Sequence, residues 1–195
     1  MTKEQFKKYF KSLRVLIIIS FFVFVASFIM GVFLAKASPE IAEDFFEELK
    51  KIIEPMLGLS SIYQFLFIFF KNSFTMFIII FSGFFFGIFP IFALYFNGHI
   101  LGTIFFLSQG EIPFIVFLKA ILPHGIIEIP ALILAAAIGL DLGKHVIRKL
   151  VLGKEINFKE RFFLAGEVFL KILIPFLIMA ALIESFLVPR LLGIN

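Results

Sequence analysis

The sequence predicts an all-α, polytopic transmembrane helix bundle with about five crossings, in which residues 1–195 form a single membrane domain. Of the 195 residues, 61% are hydrophobic and 16% are charged, whereas soluble domains are roughly 45–50% apolar and about 25% charged. Uncharged runs reach the length of about 20 residues that crosses a bilayer. The basic residues concentrate in two segments, as is typical of the cytoplasmic parts of membrane proteins. This composition excludes a soluble enzyme domain, and the absence of Cys excludes disulfides and thiolate metal sites.

The first predicted crossing is a retained helix that follows a basic N-terminus. Residues 15–35 carry no charge, and five Lys or Arg residues precede them. A signal peptide has an apolar core of about 7–15 residues, so this run is too long to be one. The positive-inside rule places the N-terminus in the cytoplasm, and we expect the plasma membrane.

An acidic amphipathic helix is predicted on the extracytoplasmic side at about residues 39–55. Its apolar residues recur at the spacing of one helical face, and its acidic residues outnumber its two lysines. Ser38 is a suitable N-cap, and Pro39 is a suitable first helical residue. We expect this helix to lie on the membrane surface or to pack against the bundle.

The middle segments are predicted to be broken or re-entrant. Residues 57–96 are almost entirely apolar and exceed one straight span, so we expect an entry along the outer interface followed by a crossing at 73–96. The Asn-Gly-His sequence at 97–99 then predicts a polar break. Residues 100–108 are too short to cross the bilayer and predict a re-entrant segment covered by protein.

The rest of the chain is predicted to cross the membrane twice more. Residues 114–140 form a crossing that Pro123 and Pro130 interrupt. Residues 141–161 contain the second basic cluster and therefore form a cytoplasmic loop. A last span at about 164–188 leaves the C-terminus outside. Glu and Lys carry most of the charge and Cys is absent, which favours a thermophilic source.

Polar residues inside the apolar segments form the candidate site. His124 and Glu128 are four residues apart, so they share one face of a helix. A charged side chain at the bilayer centre costs about 2.5–3.5 kcal/mol, so such a pair is either a structural hydrogen-bonded contact or a functional site. Asn97 and His99 either belong to a simple interfacial turn or join this pair in one polar core.

A divalent metal is the cofactor that these residues could bind, with His99, His124 and Glu128 as candidate ligands. Two His side chains and a carboxylate are a common zinc ligand set. However, the spacing of His124 and Glu128 lacks the second His of the His-Glu-x-x-His pattern. We otherwise expect no cofactor, no catalytic activity and no nucleic-acid partner.

Glycines at four-residue spacing predict close helix packing, either within the bundle or across a dimer interface. The pairs are Gly83–Gly87, Gly98–Gly102 and Gly139–Gly143. The residues predicted to shape the backbone around the candidate site are Gly98, Gly102, Pro123, Gly125 and Pro130.

The order of these motifs resembles the stage II sporulation protein M family over roughly residues 10–190. The blocks that carry the resemblance are Pro123-His124-Gly125-x-x-Glu128-x-Pro130, which is fairly specific, and Asn97-Gly98, which is weak. The resemblance implies a polytopic inner-membrane protein with five helices. In spore formers such a protein is a membrane scaffold for cell-wall-degrading partners during engulfment. The thermophile-like composition indicates a non-sporulating source, so we expect this chain to share the membrane core rather than the engulfment role.

We therefore expect a non-enzymatic scaffold or assembly factor that docks other membrane proteins or a second copy of itself. The alternative is a small transporter or channel with a midplane polar site at His124 and Glu128. An intramembrane metal-dependent hydrolase ranks third, because it needs a third ligand beside these two residues. The residue spacings alone do not separate scaffold from transporter, and the resemblance favours the scaffold.

Overall fold

The computed structural model describes residues 2–111 and 114–192, and it describes their side chains except at 52–57, 110–124 and 191–192. All regular structure in the described residues is helical. Five helical stretches among them are long and apolar enough to cross a membrane. The chain is therefore an all-α, multi-pass membrane protein, which confirms the predicted fold class.

The first two helices follow the prediction closely. Helix α1 (Lys3–Ala37) is longer than the predicted span because the basic N-terminal segment is also helical. Thr2 and Gln5 stabilise its start through a reciprocal capping box. Helix α2 (Pro39–Leu57) is the expected acidic amphipathic helix, and it contacts α1 and the third span.

The middle of the chain forms two full spans, so the prediction of broken segments was wrong. Helix α3 (Ser61–Ser82) is the second span, and helix α4 (Ile88–Glu111) is the third. The turn between them lies at residues 83–87. The predicted break at 97–99 lies inside α4, and the predicted re-entrant segment at 100–108 is the second half of that helix.

Helix α5 (Phe114–Leu152) is a continuous helix of 39 residues. Its backbone stays helical at Pro123 and Pro130, so the predicted interruptions there were wrong. Membrane helices tolerate proline where neighbouring groups satisfy the freed carbonyls. Helix α5 also includes the first half of the predicted loop at 141–161, because that segment continues the helical pattern of small and apolar residues.

The last span is a continuous helical stretch that begins at Phe158 rather than near residue 164. It contains two five-residue π-helical segments, and Pro175 is the second residue after the first of them. Proline lacks the N–H that an α-helix would use, which favours a widened turn before it. The segments are α6 (Phe158–Val168), the first π-helical segment (Phe169–Leu173), α7 (Ile174–Leu182), the second π-helical segment (Ile183–Leu187) and α8 (Val188–Leu192).

Helix α5 is the central helix, because it contacts α1, α3, α4 and every segment of the last span. The start of α1, the α3–α4 turn, the end of α5 and the start of α6 meet at one end of the bundle, which we call the basic end. Helix α2 lies at the opposite end, which we call the acidic end. The largest fully buried apolar side chains include Leu13, Ile80, Leu94, Ile138 and Leu177.

Candidate functional site

Glycines bring α4 directly against the backbone of α1. A Cβ atom added to Gly98 would lie 2.6 Å from the carbonyl oxygen of Phe24, and one added to Gly102 would lie 2.1 Å from that of Phe28. These two contacts have the same offset along the chain, so the two helices run parallel. Small residues allow this close approach between membrane helices, where dispersion forces replace the hydrophobic effect.

A second glycine seam joins the end of α3 and the turn that follows it to α5. A Cβ atom on Gly83 would lie 2.1 Å from the carbonyl oxygen of Gly139, and one on Gly143 would lie 2.3 Å from the backbone nitrogen of Gly87. All three predicted glycine pairs therefore pack inside the bundle, and none of them is available for a dimer interface.

The intramembrane carboxylate of Glu128 accepts a hydrogen bond from Asn72. The amide nitrogen of this buried side chain in α3 lies 2.9 Å from the Glu128 carboxylate in α5. The pair lies eleven residues from the Gly83–Gly139 contact on both helices, which is about 16 Å at 1.5 Å per residue. That distance is about half the thickness of a hydrocarbon core of about 30 Å. Sequence reasoning singled out Glu128 but did not predict Asn72 as its partner.

The other predicted site residues of α5 are only partly described. His124 and Pro123 lie in the helix, and their side chains lie outside the described residues. Gly125 and Pro130 are helical, with Pro130 exposed on the surface of the bundle. The pairing of His124 with Glu128 therefore stays a prediction.

Asn97 and His99 make their described contacts away from Glu128. The exposed Asn97 side chain donates a hydrogen bond of 2.8 Å to the carbonyl of Ala93, while the His99 ring stacks on Tyr95 with centroids 5.7 Å apart. The described side chains contain no group of three His, Asp or Glu residues placed to hold a metal. His124 is not among those side chains, so a metal on His99, His124 and Glu128 stays a prediction.

A polar cluster at the basic end was not predicted from the sequence. Asp141 of α5 is 1% exposed, and its carboxylate oxygens lie 3.5 Å from His145 Nδ1 and 3.6 Å from the Arg161 guanidinium. The buried Tyr9 of α1 lies close enough to interact electrostatically with both Asp141 and Arg161. We call these four residues the Asp141 cluster. The four-residue spacing of Asp141 and His145, within a continuation of the apolar pattern of α5, was the signal that could have revealed it.

Glu167 and Lys171, four residues apart, form an ion pair in the last span. The Lys171 ammonium lies 2.5 Å from the Glu167 carboxylate, and its side chain is exposed. The contact is compatible with a lysine that reaches the membrane interface from within a span.

The family model described as stage II sporulation protein M matches residues 20–189. The chain belongs to the stage II sporulation protein M family. Comparison with curated proteins and with solved structures gave no match. In this sporulation protein M family member the matched region includes both glycine seams, the Asn72–Glu128 pair and the Asp141 cluster apart from Tyr9.

Proposed function

We propose that this family member is a non-enzymatic scaffold of the plasma membrane that holds partner membrane proteins. The observation that carries the proposal is the direct backbone contact within two parallel helix pairs. Glycines place α4 against the backbone of α1 and α3 against the backbone of α5, and α5 contacts both pairs. Packed interiors of this kind resist deformation, whereas alternating access requires one group of helices to move against another.

The Asn72–Glu128 hydrogen bond supports the same role. It joins the two helices that Gly83 and Gly139 already hold in register. A carboxylate that couples transport exchanges its partner during the transport cycle. The Glu128 carboxylate instead accepts a hydrogen bond from a buried amide between two close-packed helices, which favours a single arrangement. We therefore assign Glu128 to the stability of the bundle.

The docking surface that we propose is a phenylalanine stripe formed by Phe85, Phe89 and Phe92. Each of these side chains is more than 50% exposed, and the rings of Phe85 and Phe89 are 6.0 Å apart. Exposed aromatic side chains are enriched at the centres of protein interfaces. The partner that this surface fits is an apolar transmembrane helix, from another membrane protein or from a second copy of the chain.

Site-specific photo-crosslinking in native membranes tests the scaffold. A benzophenone side chain in place of Phe92 is expected to give protein adducts. The same side chain in place of Phe33, which is 65% exposed on α1, is the matched control and is expected to give mainly lipid adducts. Equal yields of protein adducts at the two positions would remove the stripe as a docking surface.

Flux measurements separate the scaffold from the transporter. Proteoliposomes that contain the wild-type protein are expected to take up protons and monovalent cations no faster than empty liposomes. A flux that the wild type carries and Glu128→Gln loses would contradict the scaffold and support the transporter, provided that both proteins elute as single species from a sizing column.

A further inference from the structure

Lys71 is an exposed lysine in the middle of the second span. Helix α3 has 22 residues, so Lys71 lies about 15 Å from each of its ends at about 1.5 Å per residue. The aliphatic stem of a lysine side chain covers less than half of that distance. The ammonium therefore does not reach the lipid headgroups by extending along the helix.

This lysine faces away from the bundle. Charged residues within membrane spans almost always face the protein interior and pair with one another. The next residue, Asn72, follows that pattern, because it is buried and donates a hydrogen bond to Glu128. Lys71 instead makes no hydrogen bond, ion pair or ring contact with any described residue. Its counter-charge therefore has to come from another molecule.

Exposed aromatic side chains surround Lys71 on the outer face of α3. Tyr63, Phe70 and Phe74 are each more than 60% exposed. Phe67 and Phe74 lie four and three residues from Lys71, so they flank it on the same side of the helix. Lys71 also lines a surface groove together with Tyr63, Phe67 and Phe70. Aromatic side chains are enriched among the residues that contribute most to binding at interfaces.

A carboxylate at the same depth of the bilayer is the group that complements this ammonium. Lipid headgroups lie at the interface, about 15 Å away along the bilayer normal. The described carboxylates in the spans of a second copy already interact within that copy, and they are Glu128, Asp141, Glu167 and Glu184. Another membrane protein is therefore the source of the carboxylate.

We propose that the outer face of α3 binds a transmembrane helix of another membrane protein, and that this helix carries an Asp or Glu at mid-membrane depth. The carboxylate pairs with Lys71, and the apolar residues around it pack against Phe67, Phe70 and Phe74. The pairing lowers the cost of both charges in the hydrocarbon core. This site rests on the proposed scaffold role and adds a partner surface that shares no residue with the phenylalanine stripe.

Synthetic transmembrane peptides in proteoliposomes test the charge pairing. Two leucine-rich peptides differ only at the central residue, which is Glu or Leu. Energy transfer from a donor dye at Ser61→Cys measures their association with the protein, which has no other Cys. The Glu peptide is expected to bind about tenfold more tightly than the Leu peptide, as for a polar contact between membrane helices.

Substitutions of Lys71 assign this preference to one side chain. Lys71→Leu is expected to remove the preference, and Lys71→Arg is expected to keep it. Because Lys71 is exposed, both variants leave the packed interior unchanged. Lys171→Leu is the matched control, since it removes a lysine of the last span that already pairs with Glu167, and it leaves the preference unchanged.

Photo-crosslinking in native membranes tests whether the cell contains such a partner. A benzophenone side chain in place of Phe74 is expected to give a protein adduct whose linked segment is an apolar span with Asp or Glu near its centre, as read by mass spectrometry. Lys71→Leu is expected to lower the yield of this adduct at least about fivefold, whereas Lys171→Leu leaves the yield unchanged.

Several results would overturn the proposal. Equal binding of the two peptides, or a preference that persists in Lys71→Leu, refutes the charge pairing. A linked segment from a second copy of the chain, or from a span without a carboxylate, refutes the partner assignment. Protein adducts at Phe92 with none at Phe74 refute this site and leave the scaffold role intact. Adducts at Phe74 with none at Phe92 remove the phenylalanine stripe and support this site.

Discussion

Asp141 shows how a single charged residue is accommodated near the end of an apolar helix. Its side chain is 1% exposed, while that of its partner Arg161 is 30% exposed. Removal of Arg161 and removal of Asp141 therefore differ in their cost to stability. A carboxylate left alone stays buried, whereas a guanidinium left alone can extend to water along its apolar stem.

Arg161→Met is therefore expected to destabilise the protein more than Asp141→Asn. A buried charge that loses its partner costs about 3–5 kcal/mol. His145 does not replace Arg161, because its Nδ1 makes its short contact of 2.6 Å with the backbone carbonyl of Asp141 and lies 3.5 Å from the carboxylate. The midpoint of thermal unfolding in detergent measures the difference, with Lys159→Met as the control for removal of an exposed basic side chain in the same helix. A larger loss in Asp141→Asn would contradict this account of the cluster.

Sequence reasoning identified single residues better than their partners. Glu128 was prominent because an ionisable residue inside an apolar segment is costly wherever it lies. Asn72 is 56 residues away from it, and Tyr9 is still farther from Asp141. No local pattern encodes such contacts, because they depend on which helices run parallel and in which register.

The glycine seams act at the scale of whole helices, and substitution of their glycines tests them directly. Gly83→Ala and Gly102→Ala each place a Cβ atom 2.1 Å from a backbone oxygen of a neighbouring helix, which can move only with that helix. Overpacking of this kind typically costs about 1–3 kcal/mol, so both variants are expected to unfold at lower denaturant concentration than the wild type.

Gly166→Ala is the matched control for these substitutions. This glycine is helical, and a Cβ atom added to it would have no neighbouring atom within 4 Å, so alanine is expected to stabilise the helix by up to about 1 kcal/mol. Equal unfolding midpoints for Gly83→Ala, Gly102→Ala and Gly166→Ala would show that the seams are not close-packed in solution.

The position of the α3–α4 turn was the main error at this scale, and it has a physical cause. Asn97-Gly98 has the composition of a turn, but Gly98 is needed where α4 touches α1. The true turn contains three consecutive phenylalanines, and Phe86 adopts a φ of 59° that is rare for a bulky residue. Packing of Gly87 against Gly143 holds this strained turn in place, and the local sequence did not reveal that contact.

At the scale of the whole molecule, composition and charge distribution predicted five spans, and five helices among the described residues are long and apolar enough to cross a membrane. This agreement follows from the bilayer itself, since the length of an apolar run and the position of basic residues are set by membrane thickness and charge asymmetry rather than by tertiary contacts. The parallel pairing of α1 with α4 and of α3 with α5 has no such one-dimensional signal. This pairing depends on the glycine contacts between the helices and on the central position of α5.

The orientation of the bundle is the remaining prediction at this scale. Because basic residues stay on the cytoplasmic side, we expect the basic end to face the cytoplasm and α2 to lie outside. The chain contains no Cys, so single cysteines report accessibility without background, and Glu47 on α2 and Lys154 between α5 and α6 are both exposed. A membrane-impermeant maleimide is expected to label Glu47→Cys in intact cells but Lys154→Cys only after permeabilisation. Labelling of Lys154→Cys in intact cells would reverse the orientation and would place the Asp141 cluster outside.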